Sequence, residues 1–262
     1  MFRITHSNKP LIIPRAHTIV MDISQFLALM EDIAPPGLAE EWDLGRIGLV
    51  VEGDRDIERI SCALDATPAV LREAVGSGSD MLVVHHTPLW TPVTSVAGAL
   101  ASLLRPVLSS GMHIYVIHSN FDHAPGGIND ALAKLLRMEN VQPLSLGVVG
   151  DCPLSPGDIA GILDCPVVTW GNPDLPGRLA LAGGSAFSPD LISEAARKGA
   201  RAFLSADLKH SVARESPLPL LEATHYALES PGMRALAERM GWTYIDDPPV
   251  VRTWNPTSSG ND

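Results

Sequence analysis

The segment Met81-Leu82-Val83-Val84-His85-His86-Thr87-Pro88 runs from four apolar residues into two adjacent histidines and a Thr-Pro turn. A short apolar run bounded by turn residues predicts a buried strand, here over 80–84. His85 and His86 then emerge at the C-terminal edge of that strand, where open α/β sheets bind ligands. Neighbouring strand residues point to opposite faces. Both imidazoles therefore reach one site only where the chain leaves strand geometry, and Thr87-Pro88 permits that.

Working outward, strands and helices alternate. Upstream, Asp22 caps a helix over 22–33 that carries Ile23, Phe26, Leu27 and Met30 on one face and stops at Pro35-Pro36-Gly37. Strands follow at 47–51 and at 60–64, the latter closing on Asp65, with a helix at 68–75. Downstream come a helix near 97–109, a strand at 113–117 and a helix at 127–136. Residues 141–177 are rich in proline and glycine and read as a link with one short helix (157–163) and one short strand (166–169). Strands at 179–182, 202–205, 218–223 and 242–245 and helices at 189–198 and 231–240 complete the pattern. The prediction is an α/β protein of two lobes, with mainly parallel mixed sheets flanked by helices. Its parts are an N-terminal extension (1–20), a first α/β lobe (21–140), the link (141–177), a second α/β segment completing the site (178–248) and a tail (249–262).

Composition narrows the function. Of 262 residues 45% are hydrophobic, ample for a large core, yet no window reaches the roughly 18 uncharged apolar residues of a membrane span. A formal charge of -11 argues against a nucleic-acid partner held by a generally basic surface. The three cysteines, Cys62, Cys152 and Cys165, form no CxxC pair, so neither a thiolate zinc cage nor a disulfide framework is expected, and a reducing cytoplasm is. The first twenty residues lack a signal-peptide pattern.

Polar groups recur just after strands, at Asp65, His85, His86, His118, Asp207 and His225. In a parallel sheet such ends gather along one edge. Two further stretches join the twin histidines: His118-Ser119-Asn120-Phe121-Asp122 and His225-Tyr226-Ala227-Leu228-Glu229. Each alone has a plainer reading, as a loop, a turn or a solvated helix face. Together, His85, His86, His225, Asp122 and Glu229 offer nitrogen and oxygen ligands without sulfur, which suits zinc, manganese, iron or nickel. Five side chains exceed the set usual for one catalytic zinc and suit two divalent ions per subunit with a shared carboxylate. Two such ions outweigh the charge of two carboxylates and a hydroxide, which favours a small anionic or nucleotide ligand. His118 and His210 are the expected catalytic proton donors to a leaving group.

These stretches resemble the NIF-three-like proteins, often labelled GTP cyclohydrolase I type 2 homologues, over about residues 21–248. Leu82 to Leu89 resembles the family's His-His-Pro segment. Ile117 to Asp122 with Pro125-Gly126-Gly127-Ile128-Asn129-Asp130 resembles its His-Thr-Asn-Leu-Asp…Gly-Gly-Val-Asn-Asp stretch. Leu181-Ala182-Gly183-Gly184-Ser185 resembles its glycine-rich turn, and His225 to Glu229 its Gly-His-Tyr-x-x-Glu ending. The chain departs at Trp42-Asp43-Leu44-Gly45-Arg46-Ile47-Gly48-Leu49, where the family has Trp-Asp-Asn-x-Gly-Leu, and at Ala206 and Thr224, where it has glycine. The resemblance implies the same five metal ligands, a toroidal homo-hexamer and absence of the long inserted domain of some relatives. For activity it implies GTP ring opening as one candidate among metal-dependent hydrolyses. The alternative is a metal-binding, metal-delivery or regulatory scaffold without turnover.

Overall fold

The computed structural model describes residues 20–254, so His6, His17, nearly all of the expected N-terminal extension and the end of the tail lie outside the described residues. Helix α1 (Ile23–Ile33) begins where expected: the Asp22 carboxylate and the Gln25 side chain close a reciprocal cap, and Phe26 and Met30 are buried. Then come β1 (Gly48–Val51), β2 (Ile60–Asp65), α2 (Pro68–Gly76), β3 (Met81–His86), α3 (Gly98–Ser110), β4 (His113–Val116), the short α4 (Ser119–His123) and α5 (Ile128–Leu135). The second half adds β5 (Glu139–Pro143), β6 (Val148–Cys152), α6 (Pro156–Leu163), β7 (Val168–Trp170), β8 (Gly177–Leu181) and α7 (Pro189–Arg197). It closes with β9 (Ala202–Ser205), α8 (His210–Glu215), β10 (Leu220–Glu222), α9 (His225–Met240) and β11 (Thr243–Tyr244).

Two mixed sheets result. The first has the order β1-β4-β3-β2-β11, parallel throughout except for β1, which pairs antiparallel at the edge. The second has the order β5-β6-β8-β9-β10-β7; β8, β9 and β10 are parallel and the outer pairings antiparallel. The segment 141–177, read as a link, supplies most of β5 and all of β6 and β7 to this sheet. Strand β6 was hidden by its brevity and by Gly150, where a Cβ would lie 2.7 Å from the Glu139 carbonyl oxygen. Pro143 is tolerated because β5 is an edge strand.

Side chains of β3 alternate between two cores: Met81 and Val83 join Phe26, Phe121 and Met233, while Leu82 and Val84 join Val70, Leu71 and Val107. Both faces are covered, which is why the strand reads as an unbroken apolar run. Helices α5 and α9 serve both sheets. Ile128, Met233 and Leu236 pack toward the first, Leu132, Leu136 and Leu228 toward the second. This shared layer brings the C-terminal ends of both sets of parallel strands against α9. Among the described residues no helix is long and apolar enough to cross a membrane.

Candidate metal centre

Pairing in β3 continues two residues past the expected end, with His86 opposite Asp65, so the chain does not leave the strand before the twin histidines. The rings meet nonetheless, their centroids 4.9 Å apart. On the other side the register with β4 ends at Val84 and Val116, followed by one bond from the Ile117 N–H to the Val84 carbonyl. His225 is not a strand-end residue but the first residue of α9, capped by the Thr224 hydroxyl, which accepts from the Ala227 N–H. The helix expected from Pro231 thus begins six residues earlier and runs through that proline. Helical spacing then sets Glu229 on the same face as His225.

The five expected ligands converge. Glu229 lies between two groups: its Oε1 is 3.7 Å from His85 Nε2, and its Oε2 is 3.1 Å from His86 Nε2 and 2.9 Å from His225 Nε2. Asp122 Oδ1 is 3.6 Å from His85 Nε2. The groups His85–Asp122–Glu229 and His86–His225–Glu229 each have potential ligand atoms within 4.8 Å of one another. Four of these atoms, His85 Nε2, Asp122 Oδ1, His225 Nε2 and Glu229 Oε2, are buried without a hydrogen-bond partner. Buried polar atoms are rarely left so, and a bound ion is one arrangement that satisfies them. The donor set and the orphaned atoms fit a divalent cation held by these side chains.

Oxygen partners on the far side aim the rings. His85 Nδ1 donates to the Ile117 carbonyl at 2.8 Å, His86 Nδ1 bonds Asp65 Oδ1 at 2.7 Å, and His225 Nδ1 bonds Asp207 Oδ2 at 2.8 Å. Such contacts fix the tautomer and turn Nε2 inward. Asp65 and Asp207 stood out in the sequence as polar groups after strands, and their part as ring anchors follows from that same position. Asp43 and Asn129 were missed. Asp43, at the end of a short turn over Glu41–Asp43, is a fully buried carboxylate bonded to His118 Nδ1 at 2.9 Å. Asn129 accepts from the Gly183 N–H and donates to the Asp122 carbonyl, tying the glycine-rich turn to α4. Of the expected proton donors, His118 stands at the centre, its ring 4.8 Å from that of His85. His210 is exposed at the start of α8, with its ring 6.4 Å from that of Trp170, and belongs to none of the ligand groups.

Burial pushes the His85 imidazole down to about 4. Burial also disfavours the His86 cation, but the bond to Asp65 and the nearby Glu229 carboxylate outweigh it and raise His86 to about 10. His225 is raised to about 9 by Glu229 and Asp207 against the same burial. Burial and Glu229 hold the Asp122 carboxyl well above the usual carboxylate range, whereas Glu229, despite its own burial, is held well below it by the three imidazoles. Without cations His86 and His225 therefore carry protons at neutral pH, and loading must expel them. Calorimetric zinc titration at pH 7 in buffers of different ionisation enthalpy should show proton release, falling away above about pH 10. Affinity should drop as the pH is lowered.

Comparison with known proteins gives the family and the fold. The family model Duf34/NIF3 (NGG1p interacting factor 3) matches residues 21–247. A Methanocaldococcus jannaschii protein called GTP cyclohydrolase 1 type 2 homolog is 31% identical over 232 residues, covering 83% of this chain and 94% of its own. A Pyrococcus horikoshii protein of the same name is 30% identical over 253 residues, covering 87% and 99%. Among solved structures, reduced HcgD from Methanocaldococcus jannaschii is 28% identical with a TM-score of 0.74, covering 87% of this chain and 98% of that one. A Bacillus cereus protein related to NIF3 shares the fold, with a TM-score of 0.77 at 16% identity over 89% of this chain and 99% of that one. With the family model spanning nearly every described element and the relatives matched almost end to end, the chain belongs to the Duf34/NIF3 family.

Proposed function

We propose that the protein is a metal-dependent hydrolase with a dinuclear centre, acting on a nucleotide or another phosphorylated small molecule. The observation that carries this reading is Glu229, whose two oxygens face two separate ligand groups. Two divalent cations there, whether zinc, manganese, iron or nickel, would acidify water and offset phosphate charge. The chain's own contribution is positional. Asp65, Asp207 and Ile117 aim the rings, and burial of Glu229 and His85 excludes bulk water. A cavity of about 450 Å³ opens beside His86 and His225, walled by Thr67, Tyr226, Asp247 and Pro248, room for a small molecule. The relatives' name makes GTP the first substrate to try. We include in this reading a homo-hexamer and a cytoplasmic setting; the free state of all three cysteines suits the latter.

A second reading, metal delivery without turnover, draws support from the carboxylates Asp65 and Asp247 at that mouth and from the net charge of -11, which attract cations. One experiment separates the two. The purified protein is assayed for bound metal, then screened against GTP, other nucleotides and phosphoesters with added zinc or manganese. Turnover that disappears in His86→Ala supports hydrolysis. No turnover, with bound cation passing to an apo-metalloenzyme, supports delivery and overturns the hydrolase reading.

A further inference from the structure

Four imidazoles, not three, are built in the same way. His85, His86 and His225 each spend Nδ1 on an oxygen and leave Nε2 for the centre. His118 does likewise: its Nδ1 meets Asp43 Oδ2 at 2.9 Å, and among the described residues its Nε2 has no hydrogen-bond partner. The buried His113 shows the contrasting, structural pattern. Its Nδ1 accepts from the Gly53 N–H and its Nε2 donates to the Arg55 carbonyl, so both nitrogens are used up.

The placement of His118 is held firmly. Its N–H donates to Asn120 Oδ1, and Asn120 donates to the Ala34 carbonyl. Asp43 Oδ2 also accepts from the Ser119 N–H and hydroxyl, at 3.0 and 2.7 Å. The three contacts at one Asp43 oxygen fix the ring with Nδ1 against Asp43 and Nε2 on the opposite side. One ring nitrogen each from His85, His86 and His118 lie within 4.8 Å of one another.

We infer that His118 is a sixth protein ligand of the centre, with Asp43 as its positioning residue, and that the resulting three-imidazole face biases the centre toward nitrogen-preferring cations such as zinc over manganese. The inference rests on the dinuclear reading above. In this role His118 presents a lone pair where a proton donor was expected from sequence.

The test uses metal uptake and spectra, not turnover. The full-length protein is stripped, reloaded with cobalt(II) and compared with His118→Ala, His118→Gly and Asp43→Asn, each checked for folding by circular dichroism. Zinc affinity is measured by chelator competition. His118→Ala should change the visible cobalt spectrum and weaken binding at least about 10-fold. Asp43→Asn should weaken it by about 10- to 100-fold. Added imidazole should restore the wild-type spectrum in His118→Gly. Should the variants not fold, X-ray absorption of the wild-type cobalt form decides: four imidazoles per cobalt pair are expected, and three overturn the inference. Unchanged affinity and spectrum in a folded His118→Ala also overturn it, while leaving the two-cation reading intact. A wild-type protein that binds no cation removes that reading itself.

Discussion

Glu229→Gln is expected to empty the proposed two-cation centre. The glutamine keeps the shape, but its amide nitrogen has no lone pair to give, so one of the two oxygens that would hold the cations is lost. Loss of an outer partner alone costs about 10- to 100-fold in metal affinity, and loss of the shared ligand should cost more. Elemental analysis after dialysis should find the variant nearly metal-free, where removal of His225 alone should leave the His85–Asp122–Glu229 group able to hold a cation. The metal-free fold should suffer as well. Glu229 is almost fully buried and contacts three imidazoles, and breaking one side of a buried ion pair costs about 3–5 kcal/mol. The sign with pH follows from the depressed carboxylate. Its contribution is present above the ordinary unfolded carboxylate range and fades as pH falls through its low folded value. Denaturant titrations of the two apo-proteins should therefore differ most near neutrality and converge in acid.

Gly184→Ala should have the second largest effect. A Cβ there would lie 2.4 Å from Glu229 Oε1 and 3.4 Å from His225 Nε2, at a backbone φ of +67°. The left-handed conformation alone costs a side-chain-bearing residue roughly 1–2 kcal/mol. The larger consequence is displacement of the Glu229 carboxylate by a methyl group that has nowhere else to go. We expect lower thermal stability together with at least about 10-fold weaker zinc binding, on the scale of losing a partner that orients a ligand. Gly161→Ala is the control. It lies within α6 with open space where the Cβ would go, so both measurements should stay near wild type.

Much of this centre was legible because strands end in recognisable ways. Apolar Met81 to Val84 announces a strand covered on both faces, and polar residues placed directly after such runs fall on one edge. Asp122 and Glu229 were reachable by the same logic, through the four-residue spacing from His118 and His225. Other features left no local trace. Asp43 lies far along the chain from His118, at the end of a short turn, and apart from the Trp-Asp pair of the family resemblance no periodic pattern marks it as buried. Pro231 masked the start of α9, because a proline reads as a first-turn residue. The helix carries it in its interior, although it has no backbone donor and its ring crowds the Ala227 carbonyl one turn back. Strand β6 failed to register because five residues that include Gly150 and Asp151 carry too little apolar pattern. Its partners β5 and β8 make it a strand.

The four ring anchors differ in kind. Asp65, Asp207 and Asp43 are side chains, and one base change in a codon can delete any of them. The oxygen that holds His85 belongs to the main chain of Ile117, so it survives every substitution at that position that keeps the backbone path. The deepest imidazole is thereby shielded from genetic drift in a way its neighbours are not. Variation that retunes this protein should accumulate around His86, His118 and His225, with His85 as the invariant pivot.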